Sequence, residues 1–490
     1  MSETNNTKQA AWIALGSLFS FGFGIISGMI LSRYFSQTDY GTYRQVFYVY
    51  SSLLAVFSLG IPKAYSYFLP RSPLNQAKDL IRKITNILFV LGGFVSLLLF
   101  VGAGFVADLL KNPELKTALW IFSPVPFLMM PTLGLEGILA TYRKTKFVAL
   151  YTIATRIISL LCVALPVFFF DIGYKEALIY FDIGCVVSFL IALRLKYYPV
   201  RHEQNDKTEE KFSNILKFCL PLMVASLWGV LINSTDQFFI SRYFGTETFA
   251  IFSNGAMELP FVGMIIGASA TVLTPLFTRQ VHEHADFKQE IYPIWRSSFE
   301  KSAMLIYPIT IFCLFDAALV MTVMYGEAYH ASGEFFQIKL FTYFFKIISF
   351  YSILLALGAT RFYERVHLFN FLILAIIEYA SILIWNNPLL ITAIHVACTI
   401  GNCIVFLYYI ARRFSVSLWF LFPKLTILKT FIASAIAIGI VLFIRTYQYP
   451  QISDFSKLCA DIGIFLLAYL TVCIPLKLNY KKLIIPLIKK

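Results

Sequence analysis

Two cations, Arg156 and Lys346, stand deep inside apolar runs of this 490-residue chain. An ionisable group in hydrocarbon costs several kcal/mol, so it faces a partner or a wet cavity. At a helical rise of 1.5 Å per residue, each lies about 14 Å from the near end of its run, close to a bilayer midplane. Two chemistries fit. Acids at matching depth, Asp182 for Arg156 and Glu258 for Lys346, would form buried ion pairs joining helices. An open cationic cavity would instead bind an anionic group such as a phosphate, for which a guanidinium fork is well shaped. Both can operate if the anion exchanges with a carboxylate. A polar run, Asn233-Ser234-Thr235-Asp236-Gln237, adds Asn233 and Asp236 as cavity-lining candidates, with Arg242 the alternative partner for Asp236. Asp316 and Glu378 are weaker candidates for coupling to protons or sodium, and Glu136 and His395 read as structural.

The elements that must position these residues follow from composition. The chain is 58% apolar, 17% aromatic and only 14% charged, and its mean hydropathy is +0.72. Soluble proteins carry about 25% charged residues, so a single water-soluble domain is excluded, as is a disordered chain. A membrane helix needs about 20 mostly apolar residues. The sequence offers fourteen such spans: 11–31, 46–67, 84–107, 117–139, 147–170 and 175–194, then 218–240, 248–275, 303–324, 335–357, 366–385 and 388–411, and a final pair at 425–444 and 457–476. No run alternates like the strands of a membrane barrel. The expected class is an all-α polytopic membrane protein. The first run is longer than a signal-peptide core and ends in Ser32-Arg33-Tyr34-Phe35, no small-residue cleavage site, so it reads as a retained helix.

Charge sets the orientation. With the N-terminus inside, most Lys and Arg fall in cytoplasmic loops, including Lys78/Arg82/Lys83, Arg143/Lys144/Lys146, Arg412/Arg413 and the tail Lys481, Lys482, Lys489 and Lys490. That asymmetry obeys the positive-inside rule, places both termini in the cytoplasm, and accounts for the net charge of +14 without nucleic acid. The outer loops are short and leave no room for a catalytic domain. Three prolines in span four (Pro124, Pro126, Pro131), with Pro260, Pro275 and Pro308 further on, permit bent helices.

The chain also repeats itself. Leu31-Ser32-Arg33-Tyr34-Phe35 returns as Ile240-Ser241-Arg242-Tyr243-Phe244, 209 positions later and at the same end of an inward-starting span. Six spans separate the copies, so the halves share one orientation, as in a parallel repeat about an axis along the membrane normal. The expected organisation is a six-helix lobe over 1–195, a cytoplasmic connector over 196–217, a second six-helix lobe over 218–411, and a helix pair with a basic tail over 412–490. Two such lobes suit alternating access.

Several chemistries find no motif. The sequence has no G-x-x-x-x-G-K-[ST] loop, no H-E-x-x-H and no G-x-S-x-G. His282-Glu283-His284 reads as a solvated face, and the eight cysteines form no C-x-x-C pair and read as small apolar residues. Neither an enzyme, a cofactor nor a bound metal is expected.

Several segments carry a family likeness. Leu31-Ser32-Arg33-Tyr34-Phe35-Ser36-Gln37-Thr38-Asp39-Tyr40-Gly41-Thr42-Tyr43 resembles the opening of the bacterial polysaccharide and O-antigen flippases, where a basic helix end and a short turn lead into a D-Y-G-x-Y-like step. Ser58-Leu59-Gly60-Ile61-Pro62-Lys63-Ala64 is similar to that family's helix-two ending, with Ser58 in place of the usual acid. Gly134-Leu135-Glu136-Gly137-Ile138-Leu139 resembles the helix-four exit, and Leu354-Leu355-Ala356-Leu357-Gly358-Ala359-Thr360-Arg361 the helix-ten exit. The likeness covers roughly residues 10–410. It implies a flippase of the multidrug/oligosaccharidyl-lipid/polysaccharide superfamily, carrying a polyprenyl-diphosphate-linked oligosaccharide across the bacterial inner membrane. The implied partners are that lipid-linked substrate, the bilayer, H+ or Na+, and polysaccharide polymerase or other assembly proteins. The resemblance leaves an ion-coupled multidrug exporter as the alternative, although span one holds no acid. A membrane enzyme acting on lipid-linked sugars is more distant.

Overall fold

The computed structural model describes residues 3–58, 60–283, 286–448, 452–478 and 480. The tail lysines Lys481, Lys482, Lys489 and Lys490 fall outside these residues, as does His284. Among the described residues all regular structure is helical, and twelve helices are long and apolar enough to cross a membrane. Of the fourteen expected spans, the seventh is contained in the long helix Phe212–Gly255. The tenth is divided. It forms Ser332–Leu340 and Phe350–Ala356, with a 3-10 turn at Phe341–Phe344 and irregular backbone at 345–349 between them. Lys346 lies in that irregular stretch rather than within a helix.

Other breaks have local causes. Span four is cut into Glu114–Phe122, Val125–Met129 and Leu135–Thr141. Pro124, Pro126 and Pro131 each remove a donor there, and Gly134 turns the chain at φ +79°. A side chain at Gly134 would also overlap the Tyr65 ring. Span eight begins at Pro260, not at 248, because the proline holds Leu259 extended at ψ 118°. Residues 246–255 instead continue the preceding helix beyond a bend at Gly245.

The chain forms two compact units, residues 1–251 and 252–490. In the first unit the helix is interrupted at matching positions of the two copies, Ser36 and Gly245. Ser36 caps the helix Gln37–Phe57, its Oγ accepting from the Asp39 amide at 3.1 Å and donating to Asp39 Oδ2 at 2.8 Å. At the equivalent place in the second copy the bend is made by Gly245, at φ +84°. The copies touch each other. Thr38 Oγ1 donates to Glu247 Oε1 at 2.9 Å, and these residues are themselves 209 apart. Gly41 packs so closely on the Thr246 carbonyl that a Cβ would overlap it. Beneath this corner Gln45 Nε2 donates to Ser241 Oγ at 2.7 Å, and Asn112 Nδ2 donates to Gln45 Oε1 at 2.6 Å and Thr42 Oγ1 at 2.9 Å. Gln45, Ser241 and Asn112 are all buried.

In the second unit the final pair, Lys424–Gln448 and Asp454–Cys473, is built into the core. Ala433, Ala437 and Val441 let the first of these helices lie against Met304 and Phe312 of Tyr292–Phe315. Phe465 and Tyr469 of the second belong to the same cluster. Arg445 ties the pair down by bridging Asp316 and Asp461, both carboxylates being fully buried. Asp316, a coupling candidate by sequence, is therefore held by an arginine 129 residues away and acts as a clamp.

Two stability effects are expected. Removing one partner of a buried ion pair costs about 3–5 kcal/mol because a charge is stranded. Arg445→Met strands two carboxylates and is expected to lower the thermal midpoint in detergent sharply. Adding Asp316→Asn and Asp461→Asn should recover most of the loss. An Arg445→Met variant as stable as the parent would show that apolar packing alone holds the pair. At the corner, interhelical hydrogen bonds in membranes contribute about 0.6 kcal/mol on average and at most about 1.7. Gln45→Leu also leaves a buried Asn112 donor short of a partner, so a loss of about 1–2 kcal/mol is expected. Thr38→Val, at an exposed bond, should change the midpoint little.

Candidate functional site

Arg156 sits on the helix Thr145–Ser159, which runs into a π-helical turn at Leu160–Ala164 ahead of Pro166. Such π-turns are frequent at functional sites. The spacing 156, 159, 160 puts Arg156, Ser159 and Leu160 on one helical face. That face meets two others of helical period. Gly24, Ser27, Gly28 and Leu31 come from Glu3–Tyr34, and Tyr40, Tyr43, Arg44 and Phe47 from Gln37–Phe57. Phe181, from Tyr174–Tyr197, closes the side. The small residues Gly24, Ser27 and Gly28 leave room, and a cavity of about 210 Å³ results.

A second cavity of about 290 Å³ adjoins the first across Arg156, Ser159 and Phe181. Its walls carry the hydroxyls of Thr132, Tyr151, Thr152, Thr155 and Ser188. Two guanidiniums, aromatic rings and a hydroxyl-lined extension thus share one space inside the first unit. The arrangement can hold an anion by charge-assisted hydrogen bonds and offer polar partners to a neighbouring hydroxylated group.

Arg156 donates from Nε to Ser20 Oγ at 2.8 Å, and no described carboxylate lies within 4 Å of its guanidinium. Asp182, the matching acid by depth, forms no ion pair with it. Phe181 points at the cavity, and one residue further along a helix the side chain turns about 100° away. Asp182 Oδ1 is buried without a hydrogen-bond partner.

The other predicted residues are spread out. Lys346 belongs to the second unit, is exposed, and makes no ion pair with Glu258, which is exposed in the linker before Pro260. Lys346 acts electrostatically on His367 and Cys403. Asp236 is buried near Tyr48, with Oδ1 accepting from the Gln237 amide at 2.9 Å, whereas Asn233 is exposed. Arg242 does not pair with Asp236; its guanidinium donates to the Leu109 carbonyl. Glu378 and His395 are both buried, with Oε1 and Nδ1 3.9 Å apart.

Arg44 was not among the predicted residues. Starting span two at 46 left it in a loop. The Ser36-x-x-Asp39 cap marks the true helix start, and from there Tyr40, Tyr43, Arg44 and Phe47 fall on one stripe.

The sequence profile of a family described as "Polysaccharide biosynthesis protein" matches residues 30–334, more than half of the chain. No curated protein matches the chain. Among solved structures, the lipid II flippase MurJ in an inward closed conformation superposes with a TM-score of 0.70 at 15% identity, covering 96% of this chain and 99% of that one. An inward-facing multidrug resistance MATE family transporter of the MOP superfamily gives 0.64 at 13% identity, covering 80% and 94%. A MOP superfamily transporter from Pyrococcus furiosus, described as having a binding pocket of reverse polarity, gives 0.59 at 15% identity, covering 84% and 95%. At these identities the likeness establishes the fold. The chain is a multi-pass membrane protein with the two-lobed helical fold of those transporters, and it belongs to the polysaccharide biosynthesis protein family.

Proposed function

We propose that this protein is a flippase that carries a polyprenyl-diphosphate-linked oligosaccharide, an O-antigen, capsule or exopolysaccharide repeat unit, from the inner to the outer leaflet of the bacterial cytoplasmic membrane. The observation that carries the reading is Arg156, which has no described carboxylate within 4 Å and shares its cavity with Arg44. A diphosphate supplies the anion that the Arg156 guanidinium calls for, with Arg44 lining the same cavity. The hydroxyls of the adjoining cavity suit the first sugar of the head, while the lipid tail stays in the bilayer.

In this reading the lobes 1–195 and 218–411, joined by 196–217 and flanked by 412–490, alternate in opening to either side, with both termini in the cytoplasm. The π-turn beside Arg156 provides a place for its helix to flex. The buried Glu378–His395 pair and Asp182 are the groups available to couple transport to H+ or Na+, and Lys346, Asn233, Asp236 and Glu258 serve the second half of the path. Polymerase or other assembly proteins would receive the product. A multidrug exporter is the less favoured reading, because a cationic drug calls for a carboxylate and none lines the Arg156 cavity.

A deletion strain tests this. Complete lipid-linked repeat units should collect on the cytoplasmic leaflet, with surface polysaccharide lost. A charge-assisted hydrogen bond to phosphate is worth about 1.5–3 kcal/mol, so Arg156→Gln or Arg44→Gln should cut export roughly tenfold or more at unchanged protein level. Arg156→Lys should recover only part, since the ammonium lacks the fork. Normal surface polysaccharide with raised sensitivity to cationic drugs would point to the exporter. Repeat units that reach the outer face but are never joined would point to an enzyme.

A further inference from the structure

The connector between the halves is strapped to one helix. Lys78 Nζ donates to the carbonyls of Arg201 at 2.9 Å and Glu203 at 2.5 Å, and Lys83 Nζ to those of Thr208 at 3.0 Å and Glu210 at 3.3 Å. Asp79 accepts from the Thr208 amide at 2.9 Å, and Asn75 exchanges two bonds with Asp206. Held in this way, residues 208–212 and the first turns of Phe212–Gly255 stand off from Ala77–Leu109. They border a groove of about 760 Å³ in the first unit.

The groove is graded in polarity. Its apolar wall is formed by Ile87, Val90, Leu91, Phe212 and Leu216, and Val90 and Phe212 are more than half exposed. Its rim carries Lys83, Asn86, Glu209, Glu210 and Lys211. From Lys83 to Leu91 the helix rises about 12 Å, close to the roughly 15 Å hydrocarbon half-thickness of a bilayer. That matches an amphiphile of one leaflet, with its head at the rim and a chain along the helix. A polyprenyl chain is longer than a leaflet is deep. The rim has two ammoniums and two carboxylates, but Asp79 neutralises Lys83, which leaves Lys211 beside Glu209 and Glu210. A purely anionic head would meet Glu209 and Glu210 without compensation. Lys83 is already committed to Asp79 at 3.3 Å and to the connector carbonyls, which leaves Lys211 and Asn86 for a phosphate and Glu209 for an ammonium.

We propose that this groove binds one zwitterionic phospholipid of the phosphatidylethanolamine type, which wedges between the connector and the helix Ala77–Leu109. The proposal does not depend on what the protein transports.

The test is native mass spectrometry of the full chain, purified in mild detergent and exchanged against equal amounts of phosphatidylethanolamine, phosphatidylglycerol and a polyprenyl phosphate. The expected result is one retained phosphatidylethanolamine per chain. Glu209→Lys with Glu210→Lys should reduce that retention roughly tenfold and favour phosphatidylglycerol. Leu216→Trp, which fills the groove, should abolish retention of every lipid, and a single gel-filtration peak confirms that the variant is folded. Retention of the polyprenyl phosphate or of phosphatidylglycerol by the parent would overturn the assignment. So would equal loss of all three lipids, or retention unchanged by Leu216→Trp in a folded variant.

Discussion

Hydrocarbon offers no hydrogen-bond partner, so each polar group in this chain must be met by the chain itself or by something it carries. The structure follows from how that requirement is met. Arg445 meets two carboxylates and holds the last helix pair in the second unit. Gln45, Asn112 and Ser241 satisfy one another at the corner of the repeat. Lys196, fully buried, donates to the Tyr65 hydroxyl at 2.9 Å, which in turn meets Thr85 at 2.7 Å. Arg156 is met differently. Among the described residues it donates to a neutral serine, and its side chain lines a cavity. In the proposed reading this open cation is where an anion binds, whereas Arg445 acts as a clamp.

Helix breaks serve the same requirement from the other side. A break frees backbone groups, which is tolerable only inside protein or beside water. Span four breaks at Pro124–Gly134, where Pro131 is buried and Gly134 packs against the Tyr65 ring. The π-turn after Ser159 widens the helix that carries Arg156 and borders the cavity. The irregular backbone at 345–349 carries Lys346. In the two places where a helical segment gives up its regular bonding near a deep cation, the cation and the break lie within a few residues of each other.

Much of the fold was legible in the sequence because its signals are local. Apolar length marks spans, and proline marks the break in span four. The division of span ten carried no such signal, since 335–357 contains neither proline nor glycine. The site was half legible. Depth picked out Arg156 but not its surroundings, because which acid or base lies opposite depends on helix rotation. One residue of rotation separates Phe181, in the cavity, from Asp182, outside it. Asp316 looked available for coupling because its partner, Arg445, is 129 residues away. Arg44 was hidden by an error of helix start that a capping motif would have corrected.

The duplication leaves a geometric trace beyond sequence. Thr38 and Glu247 occupy the same place in their two copies, yet they bond to each other. The two copies therefore meet at this corner. Gly41 shows the consequence, for the backbones approach so closely that no side chain fits. Ser36 and Gly245 interrupt the helix at matching positions of the two copies by different means, one with a side-chain cap and one with a positive-φ glycine.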